Sequence, residues 1–302
     1  MANTFTNAYV SKYLPILDEL YVDAAKTSIL TESNNMVKPG LSEGEVRIAK
    51  RTITGLGDFS RTGSESTGAP YGYTENSVTV EWETIKYDKE RSATFRIDRL
   101  NQDETLDMAF GGLAEQFIRE QVAPETDSAR IATIAQVAIT AGNTASAEIT
   151  TGEQAIAALR AGVNNLENHE VGSEWILFIN PVLLGAIQDL NSFASKEVLN
   201  AFSNVISVPS SRMNTKITLN NGVNSYGYSV DQDSLKINFL IIAKNSVICD
   251  TKQYIKYFSP EADQLGDAHV FKYRNYNLYG RVLDNKVNGV YVHTVPAPEI
   301  GG

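Results

Sequence analysis

The 302-residue chain is poor in the side chains from which most enzyme sites are built. Its one cysteine, Cys249, excludes an intrachain disulfide framework and a cysteine-rich zinc site. Three histidines, His169, His269 and His293, leave little for metal or acid–base chemistry. Long apolar runs are missing. Phe239–Ala243 falls far short of the roughly 20 residues that cross a bilayer, so no membrane partner is expected. The first twenty residues lack a cationic start and an unbroken apolar stretch, which argues against an export signal and for folding in the cytoplasm. Basic residues are outnumbered, 26 Lys and Arg against 36 Asp and Glu, for a net charge of −10. Proteins that grip phosphate backbones usually carry the opposite balance.

Catalytic motifs are missing as well. No phosphate-binding G-x-x-x-x-G-K-[ST], no G-x-S-x-G elbow, no H-E-x-x-H and no C-x-x-C occurs. Gly55-Leu56-Gly57 begins like a dinucleotide fingerprint but lacks the third glycine and the following helix. What the chain does have is a core. Hydrophobic residues make up 42% of it, which excludes wholesale disorder, and the length suits one large domain or two modest ones.

Val10–Leu30 has helical spacing, with Leu14, Leu17, Tyr21 and Ala24 or Ala25 recurring at three and four and Pro15 in the first turn. It stands apart from the next element across Thr31–Gly40. Its stripe therefore needs a distant part of the chain, or another chain, to bury against. Residues 45–98 read as strands around a long loop. Ser77–Tyr87 puts Val78, Val80 and Trp82 on one face and Thr79, Glu81 and Glu83 on the other. Asp88-Lys89-Glu90 is a tight connection, from which Arg91–Asp98 is expected to return as the partner strand. Between Gly55 and Asn76 lie about 20 residues rich in Gly, Ser and Thr, long for a compact domain. A two-stranded arm with such a tip cannot supply its own core.

Asn101 with Glu104 three residues on marks a helix start, and Leu106, Phe110, Leu113 and Phe117 form one narrow seam. Pro124 interrupts it, and a second helix runs from Glu125 through Ile131, Ile134 and Ala138. The spacing allows either a kinked rod or a break. Residues 151–245 form an α/β unit: helix Glu153–Leu166, buried strand Glu174–Asn180, helix Pro181–Phe193, a turn-rich stretch 209–235 and buried strand Lys236–Lys244. From 251 to 295 the pattern is β, in Phe271–Val282 and Val287–Val295.

Each candidate for chemistry has a plainer reading. His169 lies at a helix end, and His269 and His293 lie in strands with no carboxylate or thiol at ligand spacing. Cys249 follows an apolar strand as a small buried hydrophobe, with no local base to activate it. Asp98, Asp103 and Glu104 could form a carboxylate site, but they suit a helix start balanced by Arg99. No catalytic residue, metal or cofactor is expected.

Within 95–130 the chain resembles a known family. The residues that carry this are Phe95-x-Ile97-Asp98-Arg99, Glu104-Thr105, Phe110-Gly111, Gln116-Phe117-Ile118-Arg119 and Val122-x-Pro124-Glu125-x-Asp127 with Arg130. Together they are similar to the segment joining the extended loop to the long helix in major capsid (major head) proteins of tailed phages. These have the HK97-type shell fold, and the versions resembled belong to phages of Gram-positive bacteria. The resemblance implies an α+β fold with an N-terminal arm (1–44), an extended β-hairpin loop (45–98), a peripheral domain with a long spine helix (99–150 plus 246–302) and an α/β axial domain (151–245).

The function implied is structural: pentamers and hexamers of one chain forming an icosahedral head around double-stranded DNA, without sequence-specific binding. Partners would be other copies, a portal, and separate scaffolding or decoration proteins, and the place would be the virion after assembly in the host cytoplasm. Candidate subunit contacts are Leu14, Leu17, Tyr21, Gly63, Gly68, Tyr71, Trp82, Arg99, Glu104 and Arg119. Glycines in the loop would let it change curvature between symmetry environments. Some relatives crosslink a loop Lys to a neighbour's Asn. Lys86, Lys89, Asn275, Asn277, Asn285 and Asn288 are present here, but no motif selects a pair. The alternatives are a cargo-holding nanocompartment shell of the same fold, a soluble α/β enzyme with a glycine-rich lid, or a tail-type β protein, which the helices disfavour.

Overall fold

The computed structural model describes residues 21, 24–32, 37–39, 45–59, 61, 72–99, 112–172, 174–262 and 266–297. In chain order the elements begin with α1 (Ile29–Glu32), β1 (Val37–Pro39), β2 (Glu45–Ile53), β3 (Val78–Lys86) and β4 (Lys89–Asp98). Then come α2 (Leu113–Phe117), a π turn (Ile118–Val122), α3 (Ala123–Thr140), β5 (Thr144–Ser146), α4 (Gly152–Asn168) and β6 (Trp175–Ile179). After α5 (Pro181–Asp189) and α6 (Phe193–Asn200) follow β7 (Asn204–Ser207), β8 (Ile217–Leu219), β9 (Tyr228–Val230), β10 (Ile237–Ala243), β11 (Val247–Phe258), β12 (Ala268–Val282) and β13 (Val290–Thr294). The chain divides into a larger unit, Met1–Asn34 with Asp88–Gly302, and a smaller one, Asn35–Tyr87.

At the centre of the larger unit, β6 and β10 are buried at every position. They are inner strands of a five-stranded sheet ordered β5-β13-β10-β6-β7. Alternation sends Ile176, Phe178, Leu240, Ile242, Val290 and Val292 to one face, where Ile131, Ile134, Ala135 and Ala138 of α3 meet them. It sends Leu177, Ile179, Phe239, Ile241 and Tyr291 to the other, against Leu159 and Leu166 of α4 and Leu183 and Ile187 of α5. Helices on both faces are why these strands read as continuous apolar runs, each large side chain contributing about 1.5–3 kcal/mol. The sheet draws two strands from outside 151–245: β13, antiparallel to β10, and the edge strand β5, parallel to β13.

Local signals set the helix limits. Thr151 and Gln154 form a reciprocal capping box at the start of α4. Asn180 caps α5, its side-chain oxygen accepting the Val182 amide at 2.9 Å, with Pro181 in the first turn. The helix expected over Pro181–Phe193 stops at Asp189. Asn191 adopts a positive φ of 40°, and α6 restarts beyond the Ser192 cap.

A second sheet, β11-β12-β4, lies in the same unit, antiparallel throughout. Its inner face packs on α2 and the π turn. Phe117 meets Phe95 edge-on at 4.9 Å and Tyr273 at 5.5 Å, with Ile118, Val122 and Phe271 around them. At Gly280 (φ 125°) a Cβ would lie 2.8 Å from Ile134 Cγ1, so α3 crosses β12 only because no side chain is there. From Leu113 to Thr140 the backbone stays helical at every junction. Pro124 does not break the rod. Its ring would clash with the carbonyl four residues back, and the wider π turn immediately before it absorbs the clash.

Two expectations change. Arg91–Asp98 does not return against β3. It is β4, paired with β12 from Lys89↔Asn277 to Asp98↔Ala268, which brings its inward Phe95 under the spine's Phe117. Of the helical run expected over Val10–Leu30, residues 10–20, 22 and 23 lie outside the described residues, and the remainder is interrupted at Lys26–Ser28, where the Lys26 and Thr27 amides turn away to the Asp127 carboxylate at 2.9 and 3.0 Å. Tyr21, Ala25 and Leu30 are buried within the larger unit, so this part of the stripe is covered by the chain itself.

In the smaller unit β1, β2 and β3 form an antiparallel sheet. β1 has no counterpart in the sequence reading. The arm's second strand is β2, in register from Glu45↔Lys86 to Ile53↔Val78.

Candidate assembly surfaces

The arm's two faces differ chemically. Pairing of Ile53 with Val78, Arg51 with Val80 and Ala49 with Trp82 puts these six side chains on one face. Thr52, Thr79, Lys50 and Glu81 lie on the other. On the first face Ile53, Val78, Val80 and Trp82 remain 63, 60, 50 and 47% exposed. Contiguous apolar exposure of this kind on a small three-stranded sheet marks an interaction surface.

Beyond the strands the loop is tied for several residues. Thr54 and Ser77 exchange hydrogen bonds, Asn76 Nδ2 donates to Gly55 O at 2.9 Å, and Thr74 Oγ1 donates to Asp58 O at 3.1 Å. Gly57 approaches Thr74 so closely that a Cβ would lie 2.5 Å from its hydroxyl. Phe59 and Tyr73 meet edge-on at 5.0 Å, both exposed. The apolar character therefore continues toward the tip.

Of the sequence-derived contact residues, Leu14, Leu17, Gly63, Gly68, Tyr71 and Glu104 lie outside the described residues. Trp82 is on the exposed arm face. Tyr21 is buried against the spine, so its ring is used inside the chain. Arg119 is exposed and paired with Glu115 at 3.0 Å one helical turn away. Arg99 is exposed 3.9 Å from Asp267.

Sequence reasoning missed two polar clamps. Asp127, buried on α3, accepts from the Lys26 and Thr27 amides, the Thr27 hydroxyl (2.7 Å) and Arg212 (2.8 Å). Arg130 beside it donates to Thr27 O and to Thr251 Oγ1. Arg91 of β4 grips Glu125 with two nitrogens at 2.7 and 2.9 Å and reaches the carbonyls of Asn220 and Gly227 at the β8–β9 turn. In sequence Glu125, Asp127 and Arg130 figured in the family resemblance and as an acid and a base three residues apart, a spacing common on any helix, and neither named their partners.

The three histidines and Cys249 are engaged structurally. His169 Nδ1 lies 2.8 Å from Asn165 O at the end of α4, and His269 Nδ1 lies 2.6 Å from Tyr257 OH. His293 stacks on Phe239 at 5.0 Å with Asn238 Nδ2 at 3.1 Å, and burial lowers its pKa. Burial pushes the Cys249 thiol up to about 11 despite nearby Arg130. Among the described residues no three His, Cys, Asp or Glu side chains could hold a metal ion. An open cleft of about 410 Å³ lies between the end of α4 and the β10–β11 turn. There Lys244 pairs with Glu174 at 3.6 Å and Lys286 donates to Asn245 O.

No family model matches the sequence, and no curated protein matches it. Solved structures do match. A chain from Mycobacterium phage Adephagia superposes with a TM-score of 0.57 at 12% identity, over 89% of this chain and 90% of that one. One from the asymmetric unit of the bacteriophage PhiM1 mature capsid gives 0.52 at 14%, over 84% and 82%. One from the capsid structure of the cyanophage P-SCSP1u gives 0.50 at 13%, over 85% of each. The fold is that of a phage capsid chain.

Proposed function

We propose that this chain is a tailed-phage major capsid subunit with the HK97-type organisation, assembling as pentamers and hexamers into an icosahedral head that encloses double-stranded DNA. The role is structural, not enzymatic, and its place is the virion after assembly in the host cytoplasm. The observation that carries the reading is the apolar arm face, Ile53, Val78, Val80 and Trp82, built on a capsid fold. A closed shell needs one chain to make several non-equivalent contacts, and a reaching arm supplies them better than one compact patch. The extended loop then corresponds to the β2–β3 arm with its tip, and β4 to the peripheral sheet. The acidic charge suits a wall that must release the DNA it holds. Other copies are the principal partner; a portal and separate scaffolding or decoration proteins complete the head.

The test is negative-stain electron microscopy with sedimentation velocity on three chains: the wild type, Val80→Asp/Trp82→Asp, and a deletion of 60–70. The wild type is expected to give closed shells or rings of five and six. Both variants are expected to stay folded and lose them. Shells at normal yield from both variants would remove the arm from assembly, and a wild-type chain that never exceeds a small oligomer, with or without a scaffold, would overturn the reading.

A further inference from the structure

The outward face of the β11-β12-β4 sheet has a charge opposite to that of the chain. Alternation along β12 turns Phe271, Tyr273 and Asn275 inward and Lys272, Arg274 and Tyr276 outward. Register arranges the outward positions in rows of three. Lys256, Lys272 and Thr94 form one row; Tyr254, Arg274 and Ser92 the next; Lys252, Tyr276 and Glu90 the third. Arg96 stands beside Val270, and Asp98 ends β4 beside Ala268. Five cations and two acids, Glu90 and Asp98, thus share one face on a chain whose net charge is −10. Of the acids, Glu90 is ion-paired with Arg274, whose guanidinium lies 4.8 Å from the Tyr276 ring centre.

Lys256 and Lys272 sit directly opposite each other, and like charges in that position oppose strand pairing. The Lys272 ammonium leans over the Phe258 ring at 5.1 Å. That ring contact offsets part of the repulsion for Lys272, and the Lys256–Lys272 pairing itself works against the sheet. Carboxylates laid across this row would gain from both.

We propose that this basic, tyrosine-bearing face docks an acidic surface of a second copy of this chain. The inference rests on the shell reading for its partner and adds the surface and the force. Every copy carries acids in excess, so it offers the complement. A nucleic acid is the poorer occupant, because its dense phosphates would also meet the rest of a strongly acidic molecule within the roughly 10 Å that salt leaves unscreened. Tyr and Arg on a flat face are also typical of contacts between proteins.

The test compares wild type, Lys256→Gln/Lys272→Gln and Lys256→Glu/Lys272→Glu by sedimentation velocity from about 0.05 M to 0.5 M salt, with thermal unfolding of each. The wild type is expected to self-associate more weakly as salt rises. The glutamine pair should unfold at an equal or higher temperature while self-associating about tenfold more weakly, and the glutamate pair more weakly still. A merely structural role for the lysines would move stability and association together. Variants that assemble like the wild type at every salt overturn this inference and leave the shell reading standing. A wild type that never self-associates overturns both. Unchanged assembly with lost binding of a short DNA duplex assigns the face to nucleic acid and overturns it too.

Discussion

Asp127 and Thr27 are 100 residues apart in sequence and joined twice, the Thr27 amide at 3.0 Å and its hydroxyl at 2.7 Å both donating to Asp127 Oδ1. The other oxygen accepts from Lys26 and from Arg212 in the loop before β8. One carboxylate therefore ties the N-terminal segment, the spine and the turn-rich stretch together. Satisfying a buried carboxylate with four donors is what makes the charge tolerable there.

Asp127→Ala is expected to cost about 3 kcal/mol, because it leaves two amides, a hydroxyl and a largely buried guanidinium without their acceptor. Denaturant unfolding measures the loss. Hydrogen exchange at Lys26 and Thr27 should quicken more than at strand β10, and equal protection in the variant would show that other contacts hold the segment.

Leu113 and Ile118 separate two readings of the spine seam. Leu113 is half-buried in the first turn of α2, where an acid faces the helix N-terminus, whereas Ile118 is fully buried. Leu113→Asp should change stability by no more than about 1 kcal/mol, and Ile118→Asp should cost more than about 4 kcal/mol and abolish soluble folded chain. Thermal unfolding of the first and soluble yield of the second check this; the reverse order would place the seam on the wrong residues.

What was legible in the sequence follows from how local each cause is. β6 and β10 declared themselves because full burial leaves an unmixed apolar run. The exposed face of β3 was legible because alternation over Val78, Val80 and Trp82 is a two-residue property. The partner of β4 was not, since Phe95 and Ile97 signal a strand but not that Phe271 lies opposite Phe95. Nor was the continuity of the spine, because the proline clash is visible in sequence and the π turn that relieves it is not. The Asp127 clamp was not legible either: Asp127 and Arg130 entered with the family resemblance, but a helix-interior aspartate looks solvated until Thr27 is brought to it.

Cys249 is expected to be inert in the native chain. It is fully buried and its thiol is pushed up to about 11 by loss of solvation, so almost no thiolate exists at pH 8. A thiol reagent should leave it unmodified under native conditions and label it fully in denaturant. Native labelling at the rate of the unfolded chain would show that the β11 end opens.

His293 makes the five-stranded sheet sensitive to acid. Asn238 Nδ2 donates to Ala147 O as well as facing His293 Nδ1, which fixes the amide and makes Nδ1 an acceptor. Protonation there would set donor against donor beside the Phe239 ring. Burial lowers the folded-state pKa below the ordinary value of about 6.5, so between the two values the unfolded chain holds more protons than the folded one. The stabilisation is therefore complete above about pH 6.5 and is lost as pH falls toward the folded value. Unfolding midpoints should drop from pH 7.5 to pH 5 more steeply in the wild type than in His293→Gln, which keeps an acceptor for Asn238 and does not titrate. Parallel pH profiles for the two chains would assign the acid sensitivity to carboxylates elsewhere.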